Sequence, residues 1–314
     1  MSEIFHQHIP VLLGEAVDQL VTSPDGIYID ATFGRGSHSH AILKRLNANG
    51  RLIAFDKDQT AINFAQTHFA HDPRFSIVHA SFAALEQVLT RENLLGQVQG
   101  ILFDLGVSSP QFDDPERGFS FNKSGALDMR MDQSRGMTAK EWIATVDEKK
   151  LANVLWEYGE EKFSRRVAKA IVLARAEHPI ETTLQLSDII KFAIPKLKKN
   201  YDKHPATRSF QAIRIAINEE LNELESALKQ TLNALQLGGR IAVISFHSLE
   251  DRIVKQFIKS QSNDTFIPRD LPIKGETSSS QFKAIGKPIK PNMKEVNLNP
   301  RARSAILRIA EKQS

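Results

Sequence analysis

The first hundred residues of this chain alternate short apolar runs with helical patterns, and that alternation constrains the fold more than any other feature. Ile27 to Ala31, Leu52 to Phe55, Phe75 to His79 and Ile101 to Leu105 read as buried strands. Residues 37–46 and 59–69 carry apolar side chains at helical spacing, and Asn49-Gly50 stops the first of these helices. Strands that alternate with helices build βαβ units, and hence a parallel sheet covered on both faces.

The pattern then changes. Residues 113–135 are rich in Asp, Arg, Gly and Ser and read as irregular loop, and from Thr138 to about Lys198 the period is helical throughout. One stripe runs through Val167, Ile171 and Ala174, another through Leu186, Ile189 and Ile190. A long amphipathic helix is expected over 206–235, with Ile213, Ile217, Leu221, Leu224 and Leu228 on one face and Gly238-Gly239 as its stop. Ile241 to Phe246 reads as a fifth strand, 268–300 as loop, and Ser304 to Ala310 as a closing strand. The expected fold is α/β: a Rossmann-like sheet with a helical domain inserted between its fourth and fifth strands. Residues 1–112 and 206–314 would form the sheet domain, and 113–205 the insertion.

A chain of 314 residues that is 41% hydrophobic can bury a full core without covalent staples. With no cysteine, disulfides, thiolate zinc sites and cysteine nucleophiles are excluded, and no metal is expected. The N-terminal residues lack the basic-then-apolar order of a signal peptide, and no apolar run approaches the roughly 18 residues of a membrane span. Cytoplasm is the expected compartment, and no membrane partner is expected. A net charge of +4 says little about partners, but its distribution says more. After position 282 there are eight Lys or Arg against two Glu, and Lys191, Lys196, Lys198, Lys199, Lys203 and Arg208 form a second basic stretch. Such clusters suit a phosphate backbone, or else simply face water.

Four places carry chemistry. Asp30-Ala-Thr-Phe-Gly34-Arg-Gly36-Ser37-His38 joins the first strand to a helix, where glycines admit a ligand close to the backbone and a helix N-terminus offers N–H groups to an anion. A dinucleotide pyrophosphate and the methionine carboxylate of S-adenosylmethionine both answer to that description. Ser39 stands where the dinucleotide fingerprint has its third glycine, which weakens the first. Asp56 ends the second strand 20 residues after Gly36, the place of an acid that accepts from ribose hydroxyls; the alternative is a helix N-cap, for which Asp58 is better placed. Phe82, just past the third strand, is placed either to stack on adenine or to fill the core.

The fourth place decides the class. Asp104-Leu-Gly-Val-Ser108-Ser109-Pro110-Gln111 follows the fourth strand, and Ser109-Pro110-Gln111 resembles a degenerate form of the Asn/Asp/Ser-Pro-Pro-aromatic motif of enzymes that methylate exocyclic amino groups. An amino lone pair of cytosine or adenine is delocalised into its ring. Acceptors on the N–H groups draw it out of conjugation and aim it at a methyl donor.

Longer segments resemble a family. His8-x-Pro10-Val-Leu-Leu13-x-Glu15, DATFGRG at 30–36, DLGVSSPQ at 104–111, ERGFSF at 116–121, LDMRM at 127–131, HPATR at 204–208, ISFHSLED at 244–251 and NPRARS at 299–304 are similar, in this order, to the bacterial 16S rRNA cytosine-N4 methyltransferase family (MraW, or RsmH). The resemblance covers essentially the whole chain. One departure is Ser37, where the family usually has glycine. The resemblance implies a class I methyltransferase sheet and cofactor contacts from Gly34, Gly36, Ser37, His38, Asp56, Phe82, Asp104 and Gln111. It also implies reaction at the exocyclic nitrogen beside Asp104, Ser109 and Pro110, and a cytidine of 16S rRNA in the small ribosomal subunit as substrate. The oligomeric state, a homodimer included, stays open.

Several residues keep two readings. His247 is placed to face the target base or to serve as a buried structural histidine. Arg117, Arg130 and Arg135 either meet phosphates or pair with Asp113, Asp128 and Asp132. Trp142 and Trp156 are expected in the core rather than stacked on a flipped base. Two other functions compete: an NAD-dependent oxidoreductase on the same sheet, and a non-catalytic ribosome-assembly protein that binds RNA through its basic segments.

Overall fold

A computed structural model describes residues 10–195, 204–262 and 280–314. His8, the lysines at 196, 198, 199 and 203, and the start of the expected 268–300 loop lie outside the described residues. The chain divides into two compact units, one of residues 1–106 and 221–314 and one of residues 107–220.

The first unit is built on a seven-stranded sheet in the order β3-β2-β1-β4-β5-β7-β6. Its strands are β1 (Ile27–Asp30), β2 (Arg51–Asp56), β3 (Phe75–His79), β4 (Val98–Asp104), β5 (Leu235–Ser245), β6 (Phe282–Ala284) and β7 (Ile306–Lys312). The first five are parallel, and β7 closes antiparallel on β5, with Ala242 opposite Ile309. Both faces are covered, so successive residues of one strand enter different cores. Tyr28, Leu52, Leu102 and Ala242 pack with α1 (Leu13–Leu20), α2 (Ser37–Leu43) and α3 (Gln59–His68). Ile29, Ile53, Ile101 and Val243 pack with α4 (Leu85–Arg91), α11 (Glu220–Ala234) and α12 (Ser248–Gln261). This two-sided burial is why the strands read as apolar runs rather than alternating patterns. Chain order runs outward from β1 to β2 and β3 on one side and to β4 and β5 on the other, so the carboxyl ends of β1 and β4 flank the switch point where open α/β sheets bind ligands.

The second unit is helical: α5 (Ser109–Asp113), α6 (Ala139–Thr145), α7 (Glu148–Glu157), α8 (Ser164–Glu177), α9 (Thr183–Ala193) and α10 (Thr207–Asn218). Its core gathers Leu151, Leu155, Val167, Ile171, Leu186, Ile190 and Ile213. No helix among the described residues is long and apolar enough to cross a membrane.

Five expectations need correction. The single helix over 206–235 is two, because Glu219 adopts φ 51 between α10 and α11. Buried Asn218 holds the end of α10 by accepting from Met131 N–H at 2.7 Å and donating to the Met129 carbonyl at 2.7 Å. The compact division therefore falls at 107 and 220, outside the expected 113 and 205. Gly238-Gly239 lies inside β5 rather than after a helix, and the 268–300 segment contains β6 and the helix α13 (Met293–Leu298). Trp156 is 59% exposed, whereas Trp142 packs against the helical core.

Candidate active site at the carboxyl edge of the sheet

Asp30, Asp56, Asp104 and Ser245 are the last residues of β1, β2, β4 and β5, so one edge of the sheet collects three carboxyls. Asp30 is 1% exposed; its Oδ2 accepts from the Ser39 hydroxyl at 2.7 Å and its Oδ1 from the Thr32 N–H at 3.2 Å. Thr32 in turn accepts the Asp104 N–H on Oγ1 at 2.7 Å, which ties the end of β4 to the loop after β1.

That loop turns through Gly34 (φ 55) and Gly36 (φ 72) into α2. Gly36 is the N-cap, in a left-handed conformation, and a Cβ there would lie 2.5 Å from the Phe69 ring and 2.7 Å from Phe33. Ser37 begins ordinary helix, so the side chain that replaces glycine meets no backbone strain. Asp56 receives the Gly34 N–H on Oδ2 at 2.8 Å and the Asp58 N–H on Oδ1 at 2.8 Å. Asp58 itself caps α3 by accepting from Thr60 at 2.9 Å. The N-cap alternative for Asp56 is thereby excluded, and Asp56 is joined to the glycine loop instead.

Burial governs the charges. Desolvation raises Asp30 and Asp56 to about 6 each, against the lowering effect of their hydrogen bonds. Asp104 is held well above the carboxylate range, first by desolvation and then by the negative charges of Asp30 and Glu250. Its side chain keeps 26% exposure, yet Oδ1 is sealed from solvent with no hydrogen-bond partner among the described residues. Oδ2 lies 3.5 Å from Nδ1 of buried His38. Two residues on, Gly106 has φ 95, and a Cβ there would meet Phe246 at an ordinary contact distance of 3.9 Å.

Phe82 opens a short 3-10 turn after β3 and stacks edge-on against Phe103 at 5.7 Å, half-buried. His247 caps α12: its Nδ1 accepts the Glu250 N–H at 3.4 Å, while Glu250 accepts from the Phe246 and His247 N–H groups at 2.7 and 3.2 Å. The structural reading of His247 therefore has its geometry.

In the helical unit, Ser109, Pro110 and Gln111 form the first turn of α5. Ser108 is its N-cap, and Gln111, 5% exposed, closes a capping box by accepting the Ser108 N–H on Oε1 at 2.9 Å. Arg130 chelates Asp128 at 2.7 and 3.0 Å, Arg135 pairs with Asp132 at 2.7 Å, and buried Arg117 donates to the Met131 carbonyl at 3.0 Å. Intramolecular pairing thus engages all three arginines.

Sequence reasoning named Gly34, Asp56, His38 and Asp104 separately, and the structure joins Gly34 to Asp56 and His38 to Asp104; the sequence reading did not single out Asp30, Thr32 or Glu250. Asp30 and Thr32 stood inside the quoted DATFGRG segment, and a strand-ending Asp two residues before Thr is the available signal. Glu250 was hidden because histidine is not among the common N-cap residues.

Three desolvated carboxyls and a sealed acceptor fit a cationic ligand that bears hydroxyl donors. The model of the MraW methylase family matches residues 5–313. A ribosomal RNA small subunit methyltransferase H from Pseudoalteromonas atlantica is 55% identical over 307 residues, covering 97% of this chain and 98% of the relative. Its counterpart from Hydrogenovibrio crunogenus is 54% identical, covering 99% and 100%. A family match of that extent on this sheet leaves one assignment: the chain belongs to the MraW methylase family and is a Rossmann-like, S-adenosylmethionine-dependent methyltransferase.

Proposed function

We propose that this protein transfers a methyl group from S-adenosylmethionine to the exocyclic N4 of one cytidine in the decoding region of 16S rRNA in the small ribosomal subunit. The observation that carries this reading is Asp104, a desolvated acceptor with one sealed oxygen at the switch point of the sheet. The relatives' names and the DLGVSSPQ segment support the RNA substrate. When bound, the cofactor supplies an electrophilic methyl carbon on a cationic sulfur.

Each part of the chain has a task in that transfer. Asp56 accepts from the ribose hydroxyls, the loop from Gly34 through His38 lines the methionine end, and Phe82 packs on adenine. Gln111 completes the cofactor set. Asp104 accepts an N–H of the target amino group, and Ser109 and Pro110 orient the same group. The N4 lone pair then forms the new N–C bond as the bonding pair stays with sulfur, and the proton leaves N4 toward Asp104 or water. No strong base is needed first, because the nitrogen becomes acidic once it is cationic. The helical unit, residues 107–220, carries substrate recognition.

Nucleoside mapping by mass spectrometry of small-subunit rRNA from cells lacking this protein tests the substrate. One N4-methylated cytidine is expected to disappear and to return on incubation of the isolated subunits with protein and cofactor. An unchanged modification profile would sink the assignment.

The cofactor role of Asp56 has its own test. Its carboxyl titrates near 6, and its ionised form is the better acceptor. Cofactor affinity should be full above that value and fall roughly tenfold between pH 7 and 5. Asp56→Ala should cost about 1–3 kcal/mol of binding, and Asp56→Asn should flatten the pH dependence. Calorimetry showing the wild-type slope in Asp56→Asn would remove Asp56 from the cofactor site.

A further inference from the structure

Two of the basic residues after position 282 are used internally. Arg308 chelates Asp251 of α12 at 2.7 and 3.0 Å, and Lys312 donates to the carbonyls of Leu232 and Leu235 at 2.6 and 2.9 Å. The positive charge is therefore not a uniform tail. Two of the eight, Lys287 and Arg308, line a cavity of about 170 Å³ between α12 and the outer strands of the sheet. Lys255 and Lys259 line it from α12, Lys287 from the segment after β6, and Arg308 from β7; no acid lines it among the described residues.

The backbone is shaped to bring Lys287 there. Ile285 donates to the Ile309 carbonyl at 2.9 Å, and Ile289 and Leu307 exchange both of their bonds at 2.9 Å. Between these contacts residues 286–288 face only Arg308, a bulge that turns at Gly286 with φ 67. On α12 the two lysines stand four residues apart, a spacing at which like charges repel and weaken a helix. No hydrogen bond or ion pair engages the ammonium groups of Lys255, Lys259 or Lys287 among the described residues. Asp251 neutralises Arg308, but three lysine ammonium groups without a partner among the described residues line this one cavity, an arrangement that suits an anion from outside.

We infer that this cavity holds a backbone phosphate of the RNA substrate, an anchor separate from the methyl-transfer site. The inference rests on the polynucleotide reading above. Its volume is below the several hundred Å³ of sites that enclose whole small molecules, and suits a phosphate group. Asp251 holds Arg308 in place, and three lysines supply mobile ammonium groups around it. At 1.5 Å per residue, Lys255 and Lys259 sit about 10 and 16 Å along α12 from Ser248, which starts beside the carboxyl edge. Binding energy gained there would hold the target nucleotide in register at the reacting end.

The test uses the full chain and a transcript of the 3′ region of small-subunit rRNA. RNA affinity is read by fluorescence anisotropy across a salt titration, for wild type and for Lys255→Gln/Lys259→Gln/Lys287→Gln. The triple variant should bind RNA on the order of tenfold more weakly at moderate salt, and its slope of log affinity against log salt should fall by about one for each phosphate that is no longer neutralised. Unchanged cofactor affinity certifies its fold, and Lys229→Gln, on the exposed surface of α11, gives the effect of one lost surface charge, to be counted three times against the triple variant. In methylation assays the variant should raise KM for RNA and keep kcat. In the wild type, RNA should protect Lys255, Lys259 and Lys287 from acetylation, and inorganic phosphate at equal phosphate concentration should not. Unchanged affinity and slope in the variant overturn the anchor, as does equal protection by inorganic phosphate. Wild-type binding with the expected fall in slope, but without methylation of any rRNA, overturns the substrate reading and supports the anchor. Absence of RNA binding by the wild type overturns both.

Discussion

Asp104→Asn should lower single-turnover methylation by roughly 10²–10³ at saturating cofactor, the scale for losing one preorganised electrostatic interaction in a transition state. The substitution keeps the side chain's shape and one acceptor oxygen but removes the charge. That charge matters because Asp104 is desolvated and stands near Asp30 and Glu250, so its ionised form is penalised until a cation arrives. Positive charge moves from sulfur to N4 during transfer, and an ionised Asp104 stabilises it at its destination. The pH profile follows with a definite sign. An acid whose value is raised is protonated at low pH, so the wild-type rate should climb with pH as Asp104 ionises, and Asp104→Asn should lose that limb. Cofactor affinity should change far less than the rate. If affinity falls while the single-turnover rate at saturation stays normal, Asp104 serves the cofactor alone and the catalytic assignment is wrong.

Gly36→Ala should destabilise the sheet unit by about 2–5 kcal/mol. Roughly 1–2 kcal/mol comes from forcing a Cβ into the left-handed region, and about 1–3 kcal/mol from overpacking against Phe69 and Phe33. The new Cβ would start 2.5 and 2.7 Å from those rings, which are themselves locked edge-to-face at 5.2 Å. A drop in Tm of about 4–20 °C is expected, at roughly 2–4 °C per kcal/mol for a unit of this size. Cofactor binding should weaken with it, because the same loop carries the Gly34 N–H bonded to Asp56. Gly14→Ala is the control: it sits in α1, a Cβ there meets nothing within 4 Å, and its stability should stay level or rise slightly. A Gly36→Ala protein with the wild-type Tm would show that the loop relaxes and that glycine is dispensable there.

The first five strand segments, the insertion after the fourth of them and the glycine loop were legible because they depend on local pattern. Strands buried on both faces must be continuous apolar runs, and the change to a helical period after residue 135 marks a segment that no longer feeds the sheet. The exposure of Trp156 was not legible: Trp156 lies four residues after buried Ala152, on the same face of α7, so its spacing alone places it with the buried stripe.

Other features depend on partners distant in sequence. The apolar stripe through Ile213, Ile217, Leu221 and Leu224 runs unbroken past Glu219, so nothing local announces the break; Asn218 ends α10 by bonding Met129 and Met131, 87 or more positions away. Arg308 and Lys312 look like members of a basic tail until Asp251 and two carbonyls claim them. The titration of Asp30, Asp56 and Asp104 likewise has no sequence signature, since desolvation by the folded sheet is its main cause. Sequence alone determined the α/β class and the helical insertion after the fourth strand, because hydrophobic period acts through near neighbours. The tertiary structure alone decided which basic groups are paired, which acids resist ionisation and where the long helix breaks, because those follow from burial and from contacts between residues far apart in the chain.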